Sequence, residues 1–131
     1  MILYHFTAER FLPSIRREGL TKGRMVKTMD PPSFISNVQW ITKNHEFDQS
    51  WSHGTGRLAY KRNEVRLSIH VAEGDTALKP WLKSAELLTP EVAADLSAFG
   101  DPQNWYCYFG QLAPSRIVMV EFNPAYSKGT A

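Results

Sequence analysis

A histidine, two threonines, a tryptophan and an arginine stand on short apolar runs of this chain, where together they suit a flat, phosphorylated ligand. Leu3-Tyr4-His5-Phe6-Thr7 puts an imidazole and a hydroxyl two residues apart on an N-terminal strand. An unpaired buried polar group costs about 1–3 kcal/mol, so His5 is either a satisfied core residue or part of a ligand site. Val38-Gln39-Trp40-Ile41-Thr42 offers an indole able to stack on a flat heterocycle such as nicotinamide, then a small hydroxyl beside it. The same indole also suits a core position. Arg66 is fit to hold a phosphate or a carboxylate, or to line a solvent face.

Other chemistries find little support. The chain has no glycine-rich phosphate loop, no CxxC pair, no HExxH and no GxSxG elbow. His45 and His53 lie in a polar loop with no cysteine nearby, so no metal site is expected there. Cys107, between Tyr106 and Tyr108, reads as a small buried hydrophobe and not as a nucleophile.

The elements that must position these residues follow from local pattern. Ile2–Phe6 reads as a strand, and Thr7 as the cap of a helix that runs from Ala8 and closes on Gly19. Pro13 interrupts that helix unless it restarts there, with Pro13 at its first position and Leu12 as the break. Thr21–Asn37, with Gly23, Pro31 and Pro32, reads as a loop. Val38–Thr42 is a strand, and Asn44–Tyr60 a long polar loop. Val65–Val71 alternates, with Val65, Leu67, Ile69 and Val71 on one face and Arg66, Ser68 and His70 on the other, the signature of a half-buried strand. Trp81–Leu87 reads as a short helix. A second begins at Pro90 behind a Thr89 cap and runs to about Ala98. Trp105–Phe109 and Ile117–Phe122 complete the strands. The sum is a strand-rich α+β domain without βαβ alternation.

Length and composition bound the rest. At 131 residues and 43% hydrophobic, the chain is expected to form one domain, 1–131, with a single packed core. No apolar run reaches membrane-spanning length and no secretory signal pattern opens the chain, so no membrane partner is expected. One cysteine suits a reducing, cytoplasmic setting. The net charge of +2 is uneven: residues 1–70 hold eleven Lys and Arg against six acids, and residues 71–131 hold four against seven. Arg16, Arg17, Lys22, Arg24 and Lys27 form one basic group, and Arg57, Lys61, Arg62 and Arg66 another. Such groups favour a phosphate-bearing ligand, dinucleotide or nucleic acid, or are an ordinary solvated surface.

Leu3-Tyr4-His5-Phe6-Thr7, then Leu12-Pro13-Ser14-Ile15, then Glu18-Gly19-Leu20, resembles the opening of the ADP-ribosyltransferase superfamily. That opening is shared in outline by DNA-targeting toxins, RNA 2′-phosphotransferases and small bacterial and phage proteins. Val38–Asn44 resembles the superfamily's second strand. Asn104–Phe109, Ala113–Ile117 and Val120–Phe122 resemble its last strand pair. The likeness covers both ends and the second strand, and the middle third only by strand order. It implies a split sheet with a few short helices and NAD as substrate. The acceptor would be nucleic acid or protein, as for a toxin or phage effector.

Carried over, the resemblance gives His5 a hydrogen bond to the ribose next to adenine, with Thr7 near it. Trp40 stands where the family has tyrosine on the nicotinamide, and Thr42 follows; Arg66, read from its own strand and not from the resemblance, is counted with them as a nucleotide-binding position. His5, Trp40 and Asn104 are then the catalytic positions. The glutamate that members of the histidine-tyrosine-glutamate type carry at the start of the last strand pair is missing, since this chain reads Gln103-Asn104-Trp105. A neutral amide does not supply the charge that stabilises an oxocarbenium-like transition state. Two alternatives therefore stand beside an NAD-using enzyme. One is a phosphate-handling relative using His5, Arg66 and Arg116. The other is a module that binds a nucleotide or partner without turnover. Glu121, on the final strand, is a weaker substitute for the missing acid.

Overall fold

The alternation of Val65–Val71 sets the frame of the molecule. Val65, Leu67 and Ile69 are fully buried, and they anchor a core with Leu3, Ile41 and the helix residues Leu12 and Ile15. A computed structural model of the chain describes residues 1–49, 62–98 and 100–126. In chain order its elements are β1 (Ile2–Thr7), α1 (Leu12–Glu18), β2 (Arg24–Met29), β3 (Pro32–Ser36), β4 (Val38–Thr42) and β5 (Val65–His70). There follow β6 (Leu78–Pro80), α2 (Trp81–Ser84), α3 (Pro90–Ser97), β7 (Trp105–Phe109) and β8 (Ile117–Phe122). Among the described residues no helix is long and apolar enough to cross a membrane.

Six strands form one antiparallel sheet in the order β6-β7-β4-β1-β5-β8, and β2 and β3 form a separate hairpin. The six-stranded sheet is joined thinly at its middle. β1 pairs with β5 along its whole length, from Ile2↔His70 to Thr7↔Val65. β4 pairs with β7 from Val38↔Phe109 to Thr42↔Trp105. Between β1 and β4 the ladder holds only Tyr4↔Thr42. The molecule is thus an α+β fold whose sheet has two three-stranded halves, β6-β7-β4 and β1-β5-β8, joined in the ladder by one residue pair and sharing the core around Leu3, Ile41 and Leu67.

Two expectations need correction. Thr21–Asn37 is not a loop: it contains the β2–β3 hairpin, turning at a cis Asp30–Pro31 bond. Met25 is its one fully buried residue, so the apolar alternation that identifies a strand is muted there. Thr7 does not cap a helix but ends β1, and a 3-10 turn over Glu9–Phe11 leads into α1. Pro13 sits in the first turn of α1, where its missing N–H costs nothing. Gly19 closes that helix at φ +82°, and a Cβ there would lie 2.0 Å from the Leu112 carbonyl oxygen, so only glycine fits. Thr89 caps α3, its hydroxyl accepting from the Val92 N–H at 3.4 Å. Of the loop placed over 44–60, residues 44–49 have no regular structure and 50–60 lie outside the described residues, as do His53, Arg57 and Lys61.

Candidate functional site

Residues opposite one another in an antiparallel ladder point to the same side, and neighbours along a strand alternate. Leu3, His5 and Thr7 therefore share a side with Ile69, Leu67 and Val65, the side that α1 covers. Tyr4 and Phe6 face the other way with Ser68 and Arg66. The Tyr4↔Thr42 pair carries that second side across to β4, so Trp40 and Thr42 belong to it, with Cys107 and Trp105 of β7. His5 and Thr7 stand on one face of the sheet, and Trp40, Thr42 and Arg66 on the other.

His5 nevertheless reaches the junction. Its Nδ1 lies 2.8 Å from the Trp40 carbonyl oxygen, on the stretch of β4 that β1 leaves unpaired. Burial pushes the imidazole below its ordinary pKa, and the Trp40 carbonyl opposes that more weakly, so the ring is neutral at pH 7. A carbonyl only accepts, which assigns the proton to Nδ1 and leaves a lone pair on Nε2. The neighbouring stretch of β4 is occupied by Gly23. Its carbonyl accepts from Val38 N–H at 3.2 Å, and its N–H donates to Gln39 Oε1 at 3.0 Å. Thr7, 8% exposed, follows His5 on the same side.

Trp40 packs in a cluster of three indoles, with ring centroids 5.3 Å from Trp81 and 6.2 Å from Trp105. Its Nε1 donates to the Arg24 carbonyl at 3.1 Å. The structure does not bring the His5 and Trp40 rings together; it joins the imidazole to the tryptophan's backbone instead. Cys107, fully buried beneath the same cluster, has its thiol pushed up to about 12 by burial, as a buried hydrophobe should.

Thr42 and Asn104 are brought together where β4 ends and β7 begins. The Thr42 hydroxyl donates to the Asn104 carbonyl at 3.2 Å and accepts from the Asn44 N–H at 3.0 Å. The Asn104 and Asn44 carboxamides both donate to Asp101 Oδ2, at 2.7 and 3.0 Å. Sequence reasoning missed Asp101 and Asn44. The signal available was spacing: Asp101 stands one 3-10 turn before Asn104, and Asn44 two residues after Thr42. Asp101 thus puts a carboxylate in hydrogen-bond contact with Asn104, just before the start of β7.

Arg66 faces an open depression of about 370 Å³ on the second side of the β1-β5-β8 half, lined also by Tyr4, His45, Ser68, Met119 and Glu121. Its guanidinium is already engaged. Nη1 donates to the His45 carbonyl at 2.6 Å and Nη2 to Glu121 Oε1 at 2.8 Å, and the group lies 4.5 Å from the Phe47 ring centre. Arg66 pins the 43–49 segment to the sheet, and Glu121 is its counter-ion. No family model, no curated protein and no solved structure matches this chain.

Proposed function

We propose that this chain is an NAD-using, ADP-ribosyltransferase-like protein that seats the dinucleotide where the two half-sheets part, with a nucleic acid or a protein as acceptor. The observation that carries the reading is the meeting of β1, β4 and β7 as direct neighbours, with a neutral imidazole spanning the thin junction between the first two. These are the strands on which the resemblance puts its first, second and last functional positions. With its proton held by Trp40, His5 offers Nε2 as an acceptor, the partner a ribose hydroxyl requires.

The reading alters two roles. The indole of Trp40 cannot grip the same ligand as the His5 ring from across the sheet, so Trp40 serves by fixing the imidazole through its carbonyl. Arg66 commits Nη1 to His45 and Nη2 to Glu121, and its Nε is buried without a hydrogen-bond partner, so a phosphate-handling reading would have to displace Glu121 from Arg66. Asn104 is neutral, and Asp101, held by two carboxamides, supplies the local negative charge. Binding with slow or absent nicotinamide release is the second reading, favoured by the carboxamide at position 104.

Titration calorimetry with NAD, ADP-ribose and a 2′-phosphorylated oligonucleotide separates these readings. The proposal expects NAD and ADP-ribose to bind and the His5→Ala variant to lose both while keeping its fold. It also expects Asn104→Glu to raise any release of nicotinamide. Binding of the oligonucleotide alone, or undiminished NAD binding by His5→Ala, would overturn it.

A further inference from the structure

The two edges of the six-stranded sheet are finished differently. β6 is three residues long and includes Lys79 and Pro80; a short edge bearing a lysine and a proline resists pairing. β8 is six residues, Ile117-Val118-Met119-Val120-Glu121-Phe122, with neither lysine nor proline. Val118, Met119 and Phe122 are 56%, 53% and 51% exposed. Its one charge, Glu121, is turned along the sheet to Arg66. Among the described residues no strand pairs with the outer edge of β8.

We propose that β8 pairs with the β8 strand of a second copy of this chain, antiparallel about a two-fold axis at Val120, so that two sheets become one. The register follows from the backbone. The Asn123 N–H donates to the Glu64 carbonyl, and Glu121 stands opposite Arg66, two residues along in each strand. Backbone groups of alternate residues point to opposite edges. The N–H and C=O of Glu121 and Met119 therefore point to β5, and those of Val120 and Phe122 point outward.

A two-fold axis perpendicular to the sheet keeps each face on its own side, so it must pass through a residue opposite itself. An axis at Glu121 would set two carboxylates face to face, which is unfavourable. An axis at Met119 runs into the break in register beside Val118. At Val120 the two copies exchange a reciprocal pair of hydrogen bonds. Met119 of each copy then lies opposite Glu121 of the other, and no like charges meet. This self-match, absent from the blunted β6 edge, is what identifies the occupant as a second copy.

Sedimentation of the whole chain over about a hundredfold range of concentration tests the pairing, since dimerisation obeys mass action. The expected result is a shift from 14.9 kDa towards twice that mass. Val120→Pro removes an outward donor without touching a β5 hydrogen bond and should weaken the dimer by roughly tenfold or more. Met119→Glu, at an exposed side chain, sets a carboxylate opposite Glu121 of the other copy; it should act in the same direction and decides the matter if the proline variant fails to fold. In the dimer, amide exchange at Val120 should slow as concentration rises. A monomer at every concentration, or a dimer that neither variant weakens, would overturn the proposal.

Discussion

The two halves of the sheet use the side bearing Thr42 and Tyr4 in opposite ways. On β6-β7-β4 that side is sealed: Val38 and Cys107 are covered by Trp81, Leu88 and Val92, with Trp40 and Trp105 packed alongside. On β1-β5-β8 the same side carries Tyr4, Ser68, Arg66 and Glu121 around an open depression. One half stores stability in hydrocarbon, while the other holds polar groups in place with hydrogen bonds. The neutral His5 stands between them, at the β1–β4 seam, where the ladder is reduced to one residue pair.

Trp81→Ala and Met119→Ala measure that contrast at its extremes. Trp81 is 1% exposed and its Nε1 donates to the Ser97 hydroxyl at 2.8 Å. Its truncation should cost about 3–5 kcal/mol in denaturant unfolding. Met119, half exposed on the open side, should cost no more than about 0.5 kcal/mol. Similar costs at both positions would break the comparison. Next in size is Gly23→Ala. A Cβ at Gly23 would lie 2.0 Å from the Val38 carbonyl oxygen, so the chain beside the seam must shift, at a cost of roughly 1–3 kcal/mol. An unchanged melting temperature would show that the seam is looser than described.

A smaller effect is expected from Arg66→Gln, about 1–2 kcal/mol for the hydrogen bonds to Glu121 and His45. It should also speed amide exchange in residues 43–49, which Arg66 anchors, and leave the Trp cluster's fluorescence unchanged. The last prediction concerns pH. The folded state lowers the His5 pKa, so the unfolded chain binds more protons, and stability rises with pH across that range. The His5 contribution is complete above its ordinary value near 6.5 and is lost as pH falls towards the lowered one. His5→Gln should flatten that part of the stability profile; an identical slope would mean that His5 is not the group titrating.

Much of the fold is legible in the residues themselves. Val38–Thr42, Trp105–Phe109 and Ile117–Phe122 are strands with the bounds their pattern gives, and Thr89-Pro90 starts a helix where it should. The β2–β3 hairpin was hidden because one fully buried residue, Met25, does most of its packing, while Pro31 and Pro32 at its turn resemble a loop. β6 was too short to show a period. The site was less legible for a different reason. Which face a side chain takes depends on pairing register, and β1 and β4 share only Tyr4↔Thr42, so nothing local revealed that His5 and Trp40 look away from each other. Asp101 was passed over because its role comes from Asn44, 57 residues away along the chain.

The most direct test of the account is the nitrogen-15 spectrum of the His5 ring, recorded at pH 7 with and without NAD. A neutral ring protonated at Nδ1, with the Nε2 resonance moving on addition of NAD, is the predicted result. A ring protonated at Nε2, or one whose nitrogens do not respond to saturating NAD, would contradict it.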